Sequence, residues 1–368
     1  MDLAGSGVTL YSTCRSSYAY HEGSRLETLL ETARWADDAG YRGALIYTDC
    51  AALDAWTAAQ ATILNTTSFV PLVAVQPIDA TPFALARSVS SLAHLYGRRV
   101  DLNFVSGGFP RDLAVQGDRL PHDDRYDRLV EYATIVRMLL DGGMTNFAGR
   151  YYTIRRARLT APVPAELLPT AYVSGASPAS LAAGEALGLS QLSCPLPPAE
   201  YVNPDIRRNR FGSGASIGII AREDSAEAWR TARKRFPVNP DGAARMRLLL
   251  AATESNWQAQ LAASPIDDEP EDDAYWLVPF RYRHTFAPYL VGSYDEVAQV
   301  LRTYLDGGTR TFVVDLPQEP DDLHHARIAV ERAVAAMDSQ QQPDPGRPSA
   351  QAAEAAGLAC AERRKNDE

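Results

Sequence analysis

Cysteine is scarce in this chain, and the few cysteines present are scattered. Among 368 residues there are four, Cys14, Cys50, Cys194 and Cys360, with no CxxC pair and no histidine at the spacing of a metal ligand. A disulfide framework and a zinc site both need clustered cysteines, so neither is indicated. We therefore expect reduced thiols and no bound metal.

The chain also lacks an excess of basic residues and a long apolar run. Lysine and arginine number 36 against 46 aspartates and glutamates, which gives a net charge of −10. Such a charge repels nucleic acid and anionic lipid, so neither is an expected partner. No stretch approaches the roughly 18 uninterrupted apolar residues of a membrane span, and the N-terminus lacks the basic flank of a secretion signal. We expect a cytoplasmic protein.

Hydrophobic residues make up 46% of the chain and fall into two alternating kinds of segment. Short, β-branched apolar runs are each followed by a longer segment with helical period, which is typical of a parallel sheet with helical crossovers. Strands are predicted at eight places, 8–13, 43–48, 69–77, 100–107, 170–175, 189–194, 215–222 and 310–317. Eight strands in this α/β alternation predict a closed (β/α)8 TIM barrel. An open doubly wound sheet would also alternate, but the GxGxxG turn of its dinucleotide-binding form is missing after the first strand.

Two long connections interrupt the alternation. Residues 143–169 contain NFAGRYYTIRRARL and are predicted to form a small hairpin appendage, whereas 237–289 combine an acidic, proline-rich patch with an aromatic run. A connection as long as the second one inside a barrel predicts a lid-like insertion. The barrel is expected to span 1–337, and the polar, alanine- and proline-rich residues 338–368 to form a flexible tail.

In a barrel of this kind, functional residues collect at the C-terminal ends of the strands. In the segment VSGASP at one such end, Gly175 permits a tight exit from the strand, Ser177 can cap the next helix, and Pro178 fits its first turn. The free N–H groups of this helix start would attract an anion such as phosphate. Ordinary helix capping is the alternative explanation of the same residues.

A second group of polar residues follows the fourth predicted strand. Asn103 and Ser106 lie at the mouth of that strand, two glycines open the backbone to a flat ligand, and His122 and Tyr126 begin the next helix. Hydrogen-bond donors beside open backbone suit a heterocycle with a phosphate tail. A polar loop that ends in a helix N-cap is the alternative.

Nine segments between residue 8 and about 337 resemble, in order, the bacterial luciferase-like flavin monooxygenases, and most closely their alkanesulfonate monooxygenase branch. They include GYRGALIYT, PLVAVQP, LNFVSGG with LPHDDRYD, YVSGASP and YLVGSYDEVAQVL. The resemblance implies a two-component monooxygenase that receives reduced FMN from a separate flavin reductase. It further implies that O2 and the flavin form a C4a-peroxide, which oxygenates a small organic substrate. We expect a homodimer or a homotetramer.

The resemblance also implies which residues hold the flavin. The residues that match positions along the flavin ring and ribityl chain, or around the phosphate, are Gln76, Asn103, Ser106, His122, Tyr126, Gly175, Ala176 and Ser177. Gln76 replaces an arginine of the alkanesulfonate enzymes. The predicted anion site at the helix start and the family's phosphate site therefore coincide.

Three residues are the catalytic candidates. Cys14 stands where the alkanesulfonate enzymes have a histidine, Cys194 where they have a tryptophan, and Arg283 matches their lid arginine. Either cysteine could contact substrate, the alternative being a small apolar filler. An arginine and a histidine of the seventh strand are replaced by Ser216 and Gly218. Because a buried sulfonate needs charge-assisted donors, the substrate is predicted not to be a simple alkanesulfonate.

Two other functions are compatible with these residues. The same barrel can bind the deazaflavin F420, which also presents a phosphate, and would then be a hydride-transferring oxidoreductase. A fold often outlives its original chemistry, so a flavin-binding protein without catalysis is the third possibility.

Overall fold

The computed structural model of the protein is a barrel of parallel strands surrounded by helices. It describes residues 3–14, 25–48, 53–203, 213–265 and 273–341. None of the helices in these ranges is both long and apolar enough to cross a membrane.

The described ranges contain twelve strands and twelve α-helices. The strands are β1 (Thr9–Thr13), β2 (Gly43–Ile46), β3 (Leu72–Val75), β4 (Asp101–Phe104), β5 (Thr145–Ala148), β6 (Thr153–Ala157), β7 (Ala171–Ser174), β8 (Ser190–Ser193), β9 (Gly214–Arg222), β10 (Tyr275–Trp276), β11 (Tyr289–Ser293) and β12 (Thr311–Val314). The helices are α1 (Arg25–Asp38), α2 (Ala55–Leu64), α3 (Pro82–Tyr96), α4 (Pro110–Val115), α5 (His122–Leu140), α6 (Pro178–Leu187), α7 (Ser225–Arg235), α8 (Pro240–Ala252), α9 (Asn256–Ala262), α10 (Val278–Arg281), α11 (Tyr294–Asp306) and α12 (Pro320–Gln341).

Eight of the strands form the barrel, in the order β9, β12, β1, β2, β3, β4, β7 and β8. All neighbours are parallel, and the ring closes where Leu192 and Ser193 of β8 pair with Gly214 and Ala215 of β9. The predicted TIM barrel is therefore confirmed, and each of the eight predicted strands overlaps an observed one. Because the strands are parallel, their C-terminal ends all meet at one opening.

The sequence analysis did not predict the strand β11. Strand β9 has nine residues, and its outer half, from Gly218 to Arg222, continues beyond the pairing with β8. That half pairs in parallel with β11, and β10 adds a short antiparallel strand outside it. The free edge of β9 therefore requires a partner, which only the folded sheet reveals.

The described parts of the two long connections contain regular secondary structure. Strands β5 and β6 form an antiparallel hairpin, and the carboxylate of Glu131 on α5 accepts hydrogen bonds from the N–H groups of Arg150, Tyr151 and Tyr152 at 2.6–3.0 Å. Helices α8, α9 and α10 and strand β10 lie in the segment after α7. The tail expected from residue 338 lies outside the described residues from residue 342 onward.

A buried carboxylate connects four strands at the closed end of the barrel. Asp101, which is fully buried, accepts a hydrogen bond from the hydroxyl of Tyr11 at 2.6 Å and from the N–H of Thr170 at 2.7 Å. The guanidinium groups of Arg42 and Arg99 lie 2.6 and 3.1 Å from its two oxygens. This network joins β1, β2, β4 and β7 far from the open end, which indicates a structural role.

Replacement of Asp101 by alanine should destabilise the barrel without touching the open end. Two arginines, a tyrosine hydroxyl and a backbone N–H would lose their acceptor, so we expect a loss of about 3 kcal/mol in the free energy of unfolding. The measurement is urea denaturation. As a control, D295A removes an exposed ion pair with Arg332 and should cost less than about 1 kcal/mol. Equal losses for the two variants would contradict a structural role for the network.

Candidate active site

A cavity of about 910 Å³ opens at the C-terminal ends of the barrel strands. Small-molecule sites commonly measure about 300–1,000 Å³, so this one has room for a cofactor together with a substrate. Every residue that the sequence predicted for the site lines it except Cys14, namely Gln76, Asn103, Ser106, His122, Tyr126, Gly175, Ala176, Ser177, Cys194 and Arg283.

A cluster of hydroxyl groups lies where α5 meets the turn between β7 and α6. The Tyr126 hydroxyl donates to the carbonyl of Ser174 at 3.0 Å, and the hydroxyls of Ser106, Ser177 and Ser180 are close to it. Burial raises the pKa of Tyr126, and the neighbouring hydroxyls offset this only in part. Tyr126 is therefore a neutral donor. The helix start and the polar turn that were predicted separately lie side by side.

The turn that follows β7 brings the N-terminus of α6 to the cavity. Ser177 caps this helix, because its side chain accepts the N–H of Ser180 at 3.2 Å, and Pro178 occupies the first turn. Gly175 has a φ of +134°, and a Cβ there would collide with the Tyr126 hydroxyl. Only glycine fits this position. The arrangement places uncompensated N–H dipoles beside hydroxyl donors, which suits a phosphate.

The wall next to this cluster is formed by the ends of β3 and β4. Asn103 is buried, and its side-chain oxygen accepts the hydroxyl of Ser174 at 2.9 Å. Gly107 has a φ of +86°, and a Cβ on Gly108 would meet no atom closer than 3.9 Å. The backbone here is therefore open to a flat ligand, and Gln76 borders the same space.

The segment after α8 is attached to this glycine turn. The carbonyl of Gly108 accepts the N–H of Glu254 at 3.0 Å and the hydroxyl of Thr253 at 2.9 Å. The Glu254 carboxylate also pairs with the guanidinium of Arg125, which is buried and donates to the Gly107 carbonyl at 3.3 Å. These contacts fasten the insertion over one side of the cavity.

Another part of the cavity wall contains the predicted residues Cys194 and Arg283, together with two residues whose backbone is strained. The buried thiol of Cys194 lies 3.6 Å from the carbonyl of Phe286, which belongs to the insertion. Arg283 is exposed at the cavity and has a φ of +57°, and Leu316, after β12, has a φ of +38°. Left-handed backbone at residues other than glycine is strained and clusters at functional sites.

Cys14 is the predicted residue that the structure does not bring to the cavity wall. Its side chain has no exposed surface and belongs to the main hydrophobic core. Burial raises the pKa of Cys14 to about 12, so the thiol carries a proton at neutral pH. A protonated, enclosed thiol is a poor nucleophile, and the position favours packing over contact with substrate.

The sequence analysis assigned no role to Asp315, which also lines the cavity. This residue follows β12, is buried, and accepts a hydrogen bond from Thr13 through Oδ1 at 3.5 Å. Its Oδ2 has no hydrogen-bond partner among the described residues. Burial raises the pKa of Asp315 to about 7. The sequence did contain a signal for this residue, namely a carboxylate directly after an apolar strand. Residues at the C-terminal ends of strands form the active sites of such barrels.

Removal of this carboxylate should change how stability depends on pH. The pKa of Asp315 is higher in the folded chain than in the unfolded chain, so its contribution to stability is lost as pH rises from about 4 to about 7. D315N cannot titrate, and its free energy of unfolding relative to the wild type should rise by about 2 kcal/mol between about pH 5 and about pH 8. Urea denaturation of both proteins measures this difference. A constant difference would contradict the raised pKa.

Residues 8–311 match the family model described as luciferase-like monooxygenase. A relative that is 29% identical over 309 residues is the 4-(γ-L-glutamylamino)butanoyl-[BtrI acyl-carrier protein] monooxygenase BtrO of Niallia circulans, with 82% of this chain and 90% of the relative covered.

Two solved structures have the same fold. The oxygenating constituent of 3,6-diketocamphane monooxygenase from Pseudomonas putida, in complex with FMN, has a TM-score of 0.62 at 16% identity, with 89% of this chain and 98% of the other covered. An F420-dependent secondary alcohol dehydrogenase with an F420-acetone adduct has a TM-score of 0.61 at 16% identity, with 89% and 99% covered. On the family match, the chain belongs to the luciferase-like monooxygenases and is a flavin-dependent monooxygenase.

Proposed function

We propose that this enzyme is the oxygenating component of a two-component system that uses FMN. It would take reduced FMN from a separate flavin reductase and, with O2, oxygenate a small organic substrate other than a simple alkanesulfonate. One observation supports this proposal above all. The Tyr126 hydroxyl cluster and the N-terminus of α6 lie together at one edge of a cavity that is large enough for cofactor and substrate.

The residues present fit the phosphate end of FMN. Phosphate accepts hydrogen bonds and is stabilised by a helix N-terminus, and this edge supplies the hydroxyls of Tyr126 and Ser177 beside the start of α6. Gly175 leaves the space that any side chain would fill. His122 lies at the same edge, with its ring centre 5.2 Å from that of Tyr126. These groups would bind and orient the phosphate.

The adjoining wall would hold the flavin ring. Asn103 and Gln76 provide amide groups, and the glycine turn at Gly107 and Gly108 lets a planar ring approach the backbone. When bound, reduced FMN supplies the electrons that activate O2. The task of the protein is then to position the ring, to select substrate and to exclude water.

The insertion after α7 would act as the lid that excludes water. Thr253 and Glu254 hold it to Gly108, and the segment around Phe286 packs against Cys194 on the other side of the opening. The attachments on two sides of the cavity mouth support a cover rather than an open groove. Arg283 lies on this segment and remains the proposed lid arginine.

The substrate side of the cavity argues against a sulfonate. Arg245 and Arg283 contribute guanidinium groups, and the Arg283 side chain is exposed, whereas a buried sulfonate needs enclosed, preferably bidentate donors. At Gly218, matched to a histidine of the alkanesulfonate enzymes, the ring of Tyr289 occupies the space of a side chain. The relative BtrO acts, by its name, on a glutamylaminobutanoyl group carried by a protein, which is not a sulfonate.

The chemistry is tested by coupled turnover. With FMN, NADH and a flavin reductase, the protein should consume O2 in the presence of its substrate, and 18O2 should add one labelled oxygen atom to the product. Reduced F420, offered in place of reduced FMN, should bind more weakly and yield no oxygenated product. Tighter binding of F420 with hydride transfer would favour the dehydrogenase alternative, and failure to bind either would end the catalytic proposal.

Two substitutions test the phosphate end. Y126F removes a hydroxyl donor and S177A removes the cap of α6, so each should weaken FMN binding about tenfold, the equivalent of one hydrogen bond. Fluorescence titration with FMN measures the loss. The control S91A removes an exposed serine hydroxyl on α3 and should leave binding unchanged. Unchanged affinity in both site variants would place the phosphate elsewhere.

A further inference from the structure

Asp315 is a buried carboxyl group that the proposed flavin chemistry does not use. It lines the cavity, and only about 7% of its surface is exposed. Its Oδ1 accepts a 3.5 Å hydrogen bond from the hydroxyl of Thr13. The hydroxyl of Thr285 donates to the carbonyl of Ala287 at 3.1 Å, and it also lies close enough to the Asp315 carboxyl to offset part of the rise in its pKa. The second oxygen of Asp315, Oδ2, has no partner among the described residues.

No cation of the described residues forms an ion pair with this carboxylate. On the outer side, Arg235 of α7 pairs with Asp322 of α12 at 2.9 Å, and Arg222 of β9 lies 3.2 Å from the same aspartate. Arg235 also lies 3.7 Å from Glu319, so the two arginines are balanced by two carboxylates. The hydroxyl of Tyr289 on β11 donates a hydrogen bond to the main-chain oxygen of Asp315 at 3.5 Å.

The cations on the cavity side are engaged or exposed. The guanidinium of Arg245 donates to the carbonyl of Asp241 at 3.3 Å, and a ring nitrogen of His284 lies 2.7 Å from the carbonyl of Pro237. Arg283 is exposed, and His122 lies with its own partner, Asp123, at the proposed phosphate edge. A buried carboxylate without a protein counter-ion is costly unless a ligand supplies the charge.

The position of Asp315 places it across the cavity from the proposed flavin site. Strand β12 precedes it, and β12 is separated from β4 by three strands in either direction around the barrel. Asn103 lies in β4 and Ser106 comes shortly after it. A flavin bound beside these two residues therefore leaves the Asp315 side of the cavity to the substrate. The two ends of the cavity thus suit ligands of opposite charge. The flavin side has hydrogen-bond donors, which suit an anion, and the Asp315 side has an acceptor, which suits a cation.

We infer that Asp315 binds a positively charged nitrogen of the substrate, as in a primary alkylammonium group. This inference rests on the proposed function, because it takes the flavin to occupy the β4 and β7 side. An ammonium group offers the charge and the donors that Oδ2 lacks. The hydroxyl of Thr13 contacts the carboxyl group, and that of Tyr289 contacts the main-chain oxygen of the same residue. Asp315 is then a specificity-determining residue, and the enzyme prefers amines over neutral substrates of the same size.

The preference should depend on pH through Asp315, and D315N separates this contribution from that of His122 and His284, which also line the cavity. The pKa of Asp315 is about 7, whereas burial keeps Cys14 and Tyr289 protonated. An alkylammonium with a pKa of about 10 stays charged. Ionisation of Asp315 therefore rises about tenfold between pH 6 and pH 8, and amine affinity should rise with it.

The test is calorimetric titration of the full chain, with and without FMN, using n-hexylamine and hexan-1-ol as matched probes. For the wild type we expect n-hexylamine to bind about tenfold more tightly at pH 8 than at pH 6, and hexan-1-ol to bind equally at both. D315N should lose at least that tenfold advantage and keep its affinity for hexan-1-ol. The control D112N removes another carboxylate of the cavity wall and should behave as the wild type.

Three results would overturn the inference. They are equal binding of amine and alcohol by the wild type, amine binding that does not vary with pH, and an undiminished amine preference in D315N. The comparison of n-hexylamine with hexan-1-ol in the wild type at pH 8 still tests the inference if D315N folds poorly. Failure of the proposed function looks different, because amine binding through Asp315 would persist while FMN fails to bind or no oxygenated product forms.

Discussion

Closure of the sheet between β8 and β9 is the constraint on which the site depends. The barrel strands are mostly only four residues long, and pairing of two residues on each strand completes the ring. Closure brings the ends of β4, β7 and β12 around a single opening, although they are far apart in the chain. The Asp101 network fixes the other end of the barrel, so the open end can vary its loops without loss of the scaffold.

The cavity that results has two chemically different sides. At the β4 and β7 side, Tyr126, Ser177 and the start of α6 all present donors, an environment suited to an anion. At the β12 side, Asp315 presents an acceptor in apolar surroundings that raise its pKa. A cofactor with a phosphate and a substrate with a positive charge would thus enter in one orientation, because the reverse arrangement places like charges together.

The insertion contacts both of these sides of the cavity. Its first half is fixed to the turn at Gly108, and its second half reaches Cys194 through Phe286 before continuing into β11. Strand β11, which follows the insertion, pairs with the outer half of β9, so it joins the same sheet as the barrel strands. Arg283, which has left-handed backbone, lies on this route, and Leu316, which also does, follows β12. Both line the cavity, where the surrounding packing holds the strained conformations.

The sequence by itself determined the eight barrel strands. Alternation of apolar runs with helical segments is a local signal, and so are the cap at Ser177 and the glycine at Gly175. The fold then follows, because parallel strands with helical crossovers and eight repeats close on themselves. All eight predicted flavin-side residues also line the cavity, because strand ends in a barrel converge whatever their separation in the chain.

Tertiary structure alone decided which neighbours each of these side chains has. Cys14 and Cys194 both end a strand, yet only Cys194 lines the cavity, because Cys14 packs into the core. The pairing of β11 with β9 and the contact of Arg125 with Glu254 join residues distant in sequence. The unpartnered oxygen of Asp315 is likewise a property of the assembled cavity. Burial and the supply of counter-charges depend on non-local contacts, which periodicity and spacing do not encode.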